Sequence, residues 1–209
     1  MTTLAAHIAL IAAAVAVGVW ADAPALGREK CHVPAQFKVE RRTAKVIVVR
    51  ATEDGHGIGF ACYRPTGRLT ELNYIPDDLQ VAGSLLGFTW SEAPGGNVDY
   101  YAGADLIDVR RGRVVTLDIR HDGDQASDPL LGYRVLRLVV KRSGGAAWSI
   151  GRGVYACVKC FSARSRGMTP NHRRITLDLN AAVRPESLHR KRGGVAWRHG
   201  ARTRFHNLK

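Results

Sequence analysis

Cysteines, clustered aspartates and a dense set of arginines are the residues of this 209-residue chain with chemistry to offer. Cys157 and Cys160 form a Cys-x-x-Cys, which serves as a redox dithiol or as half of a zinc site. A zinc site needs further ligands, and neither a second Cys-x-x-Cys nor a His-x-x-x-His is present. The flanking run 154–161 reads as a strand, where residues i and i+3 lie about 10 Å apart, too far for a disulfide without a bulge. Structural or free thiols are the expected state, with redox or metal chemistry as the alternative. The run Asp118, Asp122, Asp124 and Asp128 has the carboxylate density of an extracellular Ca²⁺ site. Its spacing is not that of an EF-hand and Arg120 sits among the acids, so a solvated turn-rich loop is the expectation. His172, His189, His199 and His206 stand beside arginines and read as surface residues. No Gly-x-Ser-x-Gly elbow, His-Glu-x-x-His, phosphate-binding loop or dinucleotide fingerprint occurs. No catalytic residue, cofactor or metal is expected. A hydrolase or redox enzyme working through Cys157 and Cys160 is the alternative.

Lys and Arg number 31 against 18 Asp and Glu, a formal charge of +13. Residues 1–131 carry a net −3. Residues 132–209 carry +16, with Asp178 and Glu186 as their only acids. Such asymmetry suits an anionic partner. The densest patch is Arg190, Lys191 and Arg192 together with Arg202 and Arg204, which alternate along one strand face. It lacks the aromatic platforms of a single-stranded nucleic-acid groove. Arg outnumbers Lys 24 to 7, so a compositional origin competes with a functional one.

Residues 4–21 are uncharged apart from His7, and Ala21-Asp22-Ala23 follows as a small-x-small pattern. Residues 1–23 therefore read as an export signal, leaving 24–209 as one domain. An uncleaved anchor through residues 4–21 is the alternative, since about 18 apolar residues just span a bilayer. The expected location is secreted or periplasmic, peripheral to the cell envelope. An exported chain favours a Cys31–Cys62 disulfide tying the N-terminal arm to the core.

The elements that position these residues are strands. No sustained 3.6 period appears after the leader, and short period-2 runs are separated by Gly, Pro, Asn and Asp. Four units emerge: 45–73 with three strands, 79–119 with four, 133–179 with four and 186–208 with three. Val114-Val-Thr-Leu-Asp-Ile119 echoes Arg174-Ile-Thr-Leu-Asp-Leu179, and Gly145-Ala-Ala-Trp148 echoes Gly194-Val-Ala-Trp197. Repeats of about 40–50 residues with four strands indicate β-propeller blades, here about four, with a β-sandwich as the rival. Residues 35–41 are expected to pair with 202–208 and close the ring.

Asp108-Val-Arg-Arg-Gly-Arg-Val114 and the Gly-x-Ala-Trp strands resemble the blades of TolB-type and WD-repeat-like propellers. The chain after the leader also resembles a group of uncharacterised secreted bacterial proteins. The resemblance rests on Cys31, Cys62, Leu138-Val-Val-Lys141, Trp148, Leu177-Asp178, Pro185-Glu-Ser-Leu188 and Trp197. It departs at Cys157, Cys160 and the basic C-terminal part. It implies an all-β propeller-like fold and an extracytoplasmic location, and carries no activity. The resulting expectation is a monomeric, non-enzymatic binding or scaffold module of unknown ligand. Binding of an anionic polymer, nucleic acid or protein partner through 132–209 is the alternative.

Overall fold

The computed structural model describes residues 30–51, 58–72, 74, 76–92, 101–121, 135–162 and 174–208. The expected leader and anchor segment lie outside these residues. Among them, no helix is long and apolar enough to cross a membrane.

Among the described residues, period-2 alternation becomes fifteen strands in four antiparallel sheets, each a sequential meander. The first sheet holds β1 (Phe37–Arg42), β2 (Val46–Ala51), β3 (Gly59–Tyr63) and β4 (Arg68–Leu72). The second holds β5 (Asp78–Ala82), β6 (Leu85–Glu92), β7 (Tyr101–Asp108) and β8 (Arg113–His121). The third holds β9 (Val135–Val140), β10 (Ala146–Ile150), β11 (Gly153–Cys157) and β12 (Ile175–Leu179). The fourth, among the described residues, holds β13 (Val183–Lys191), β14 (Gly194–His199) and β15 (Arg202–Asn207).

The four expected units thus correspond to the four sheets, with one correction. Residues 35–41 do not reach 202–208. Phe37–Arg42 instead pairs antiparallel with β2, making the first sheet four-stranded. The reason is local: Thr43 closes a tight connection to β2, its hydroxyl bonding Val46 O at 3.1 Å and accepting from Val46 N at 3.0 Å. A hairpin to the next strand costs far less chain entropy than a return over more than 150 residues. The closing strand of a ring is therefore not supplied by this segment.

Alternate residues face opposite sides of each strand, so a sheet packed on both faces must be apolar throughout. Every residue of β10 and β11 is buried. Val46, Val48 and Tyr63 meet Phe88, Trp90 and Ile107 between sheets one and two. Leu106, Val115 and Leu117 meet Leu138, Trp148 and Tyr155 between two and three. Val139, Ala147 and Ala156 meet Leu188, Val195 and Trp197 between three and four. No hydrophobic cluster of the described residues joins the fourth sheet to the first. Sheets two and three approach closely at Gly87, where an added Cβ would lie 3.0 Å from Leu138 and nearer still to Val140.

The outer face of sheet one is covered by the N-terminal arm. Cys31 is disulfide-bonded to Cys62, as expected, and packs with Ile47, Val49, Val33 and Phe37.

One buried acid breaks the apolar pattern. Asp105 is 1% exposed on β7. Burial pushes its carboxyl up to about 6, with Thr116 and Trp90 pulling the other way. The unfolded chain ionises this group near 4, before the native state does, so stability falls as pH rises from about 4 to about 6. The expected loss is about 3 kcal/mol. Urea unfolding at pH 4.5 and 7.5 should show this slope in the native protein and a flatter one in Asp105→Asn. Equal slopes would refute the assignment.

Candidate functional site

Two repeated sequence motifs meet across sheet boundaries. Trp148 on β10 donates its indole N–H to Asp118 on β8 at 2.9 Å. Trp197 on β14 donates to Asp178 on β12 at 2.8 Å. Each acid is buried and drawn toward cations: Asp118 to Arg120 and Arg174, both at 3.1 Å, and Asp178 to Arg204 at 3.2 Å, with His199 Nδ1 3.0 Å away. A buried carboxylate is tolerated only when so compensated.

These contacts correct two readings. Asp118 is not part of a solvated acidic loop but a β8 residue at 1% exposure, while Asp122, Asp124 and Asp128 lie outside the described residues. Arg204, expected as an anion-binding residue, is engaged by Asp178. The expected patch is divided. Arg190 and Lys191 end β13 and Arg192 stands in the following turn, whereas Arg202 begins β15 at the opposite end of the sheet.

A different grouping emerges from the topology. In a meander, the first and third connections lie at one end of the sheet. In these four sheets they are residues 43–45, 64–67, 83–84, 109–112, 141–145, 158–174 and 192–193. The same ends adjoin in all four sheets. An added Cβ on Gly112 would meet the Arg68 guanidinium, tying sheets one and two. Lys141 Nζ lies 3.5 Å from Lys191 O, and Ser143 Oγ donates to Leu208 O at 3.1 Å, tying three and four. The described part of these connections carries Lys45, Arg64, Arg110, Arg111, Lys141, Arg142, Lys159, Arg174 and Arg192, and no Asp or Glu. All are exposed except Lys141, which is half-buried.

At the centre of this end, between sheets two and three, a cleft of about 350 Å³ is lined by Arg110, Arg111, Arg142, Lys159, Asp108 and Phe161. Arg111 pairs with Asp108 at 3.6 Å. Arg113 donates to Phe161 O at 2.6 Å and lies 5.8 Å from the Phe161 ring centre. Sequence reading missed this grouping because its cations are spread over some 150 residues; the arginine-bearing hairpin 108–114 was the one visible trace.

Cys160 adjoins the cleft from beneath. The expected continuous strand over 154–161 is not formed. β11 ends at Cys157 and the chain turns into a short 3-10 segment, Cys160–Ser162. The turn brings the Cys160 thiol back to donate to Cys157 O at 3.1 Å. The two cysteines are fully buried and not bonded to each other. The adjacent Cys157 thiol, then burial, hold the Cys160 thiol far above its ordinary value. A thiol kept protonated is a weak nucleophile and a weak metal ligand. Among the described residues, no three His, Cys, Asp or Glu side chains are grouped to hold a metal ion.

No family model, curated protein or solved structure matches the chain.

Proposed function

We propose that the chain is a non-enzymatic, secreted or periplasmic binding module that takes an anionic polymer on the basic end of its sheets. The observation that carries the reading is the segregation of charge: nine Lys or Arg and no carboxylate in the described connections at one end. Four sheets stacked about 10 Å apart spread these cations over about 30 Å, a length suited to a chain of anionic groups. The central cleft supplies a deeper seat for one such group, since its volume falls within the range of small-ligand pockets. The Cys31–Cys62 disulfide supports an oxidising compartment. In the finer architecture we favour blades of a propeller-like arrangement, because successive four-stranded meanders pack face to face in sequence order.

The test compares the two ends. Heparin and polyphosphate should bind the native protein at low salt and release steeply toward physiological salt. Arg110→Ser with Arg142→Ser should weaken both by roughly tenfold and reduce the salt slope by about 1–2. Arg184→Ser with Arg198→Ser, which removes two exposed charges from sheet four away from this end, should change little. Thermal stability should be nearly unchanged in both pairs. Failure of both polyanions to bind at low salt, or equal weakening by the two pairs, would refute the reading.

A further inference from the structure

The fourth sheet has three strands among the described residues, where the other three sheets have four. Among the described residues, β15 is bonded to β14 alone, so it presents a sheet edge six residues long. The edge is held firmly at both termini. Gly200, at φ 58°, closes the hairpin from β14, and Leu208, 1% exposed, donates its N–H to Gly193 O at 3.1 Å.

The register decides which backbone groups point outward. Asn207 opposes Gly194, so Leu208 opposes Gly193, and their hydrogen bond makes this a bonded pair. Bonded pairs alternate along an antiparallel ladder, so His206, Arg204 and Arg202 bond to β14. Thr203, Phe205 and Asn207 direct their N–H and C=O groups to the free edge. Side chains follow the same alternation. Arg202, Arg204 and His206 share one face, and Phe205, 48% exposed, lies on the other.

We propose that this edge accepts an extended acidic strand from a partner protein. Strand addition would satisfy the outward backbone groups, and residues directly opposite on adjacent strands share a face. Acids at the positions opposite Arg202 and His206 would then meet these cations on either side of Arg204, which Asp178 already holds, and an apolar residue would cover Phe205. The same charges argue against a second copy as the occupant, because pairing β15 with itself would bring two sets of cations together.

A labelled Glu-Val-Glu-Val-Glu-Val peptide is the probe, followed by fluorescence anisotropy with the full chain at low salt. It should bind, and its Lys-for-Glu counterpart should not. Binding should protect the Thr203, Phe205 and Asn207 amides from hydrogen exchange. Thr203→Pro removes an outward N–H without breaking a bond to β14 and should weaken binding roughly tenfold. Arg202→Glu should weaken it about fivefold. Should Thr203→Pro fail to fold, Arg202→Glu and a backbone N-methylated peptide carry the comparison. The proposal is overturned by any of four results. These are no binding of the acidic peptide, equal binding of the N-methylated peptide, protection of the three amides in the free monomer, and a dimer that the peptide does not dissociate.

Discussion

Replacing Asp118 by Ala should lower the unfolding free energy by about 3–5 kcal/mol, the range for breaking a buried charge pair from one side. The carboxylate is 1% exposed and joins the fully buried Trp148 indole to Arg120 and Arg174. Its loss leaves the indole N–H without an acceptor, which alone costs about 1–3 kcal/mol. Asp178→Ala should cost less, about 2–3 kcal/mol, because its main cation, Arg204, is half-exposed and can return to water. Trp148→Phe keeps most of the buried ring and removes only the donor. The cycle formed by Asp118→Ala, Trp148→Phe and the double variant should therefore show a coupling of about 1–2 kcal/mol. Urea unfolding followed by far-UV circular dichroism measures all four proteins. An Asp118→Ala variant within about 1 kcal/mol of the native protein would show that this link does not hold sheets two and three together.

Removing the Cys31–Cys62 disulfide should have an effect of similar size. The bonded residues are 31 apart, and closing a loop of that length is worth about 3–4 kcal/mol in the chain-entropy account. A packing effect adds to it. Lys30 and Cys31 sit at φ 44° and 67°, a left-handed conformation that side-chain-bearing residues adopt at a cost. The bond to Cys62 holds them there, so that Val33 and Phe37 cover Ile47 and Val49. Without the bond, the arm's release would expose this face. Cys31→Ser with Cys62→Ser should lower the denaturation midpoint and raise binding of a hydrophobic dye. The same result should follow from reduction of the native protein, whereas replacing Cys157 alone should leave dye binding unchanged. An unchanged midpoint in the double variant would mean that packing, not the bond, secures the arm.

Strand content was legible because alternation is a local signal, and so was the boundary of each sheet, because Gly and polar turns interrupt it. Pairing was less so. The sequence of β1, Phe-Lys-Val-Glu-Arg-Arg, suits any half-exposed edge, and nothing in its pattern names β2 over β15. The Thr-Leu-Asp and Gly-x-Ala-Trp repeats were visible as separate echoes. Only the stacking of one sheet on the next shows that each Asp serves the Trp of the following sheet. The turn after Cys157 was hidden because Val158-Lys159 carries no Gly or Pro, and a buried apolar run hides where its strand stops. The basic end was the least legible feature. Its charges come from connections far apart in the chain, and they converge only through the meander topology.

That topology also bears on how the molecule assembles. Each sheet is one contiguous stretch, and each buried interface joins stretches adjacent in sequence. Contact order is thus low for an all-β protein, which favours fast formation of each meander and growth from one sheet to the next. The steps need not be equal. Leu208 packs with Val139 and Ala147 of sheet three, while its carbonyl accepts from Ser143 in the turn between β9 and β10. The third sheet can form early, but one side of it stays partly uncovered until Leu208 has left the ribosome.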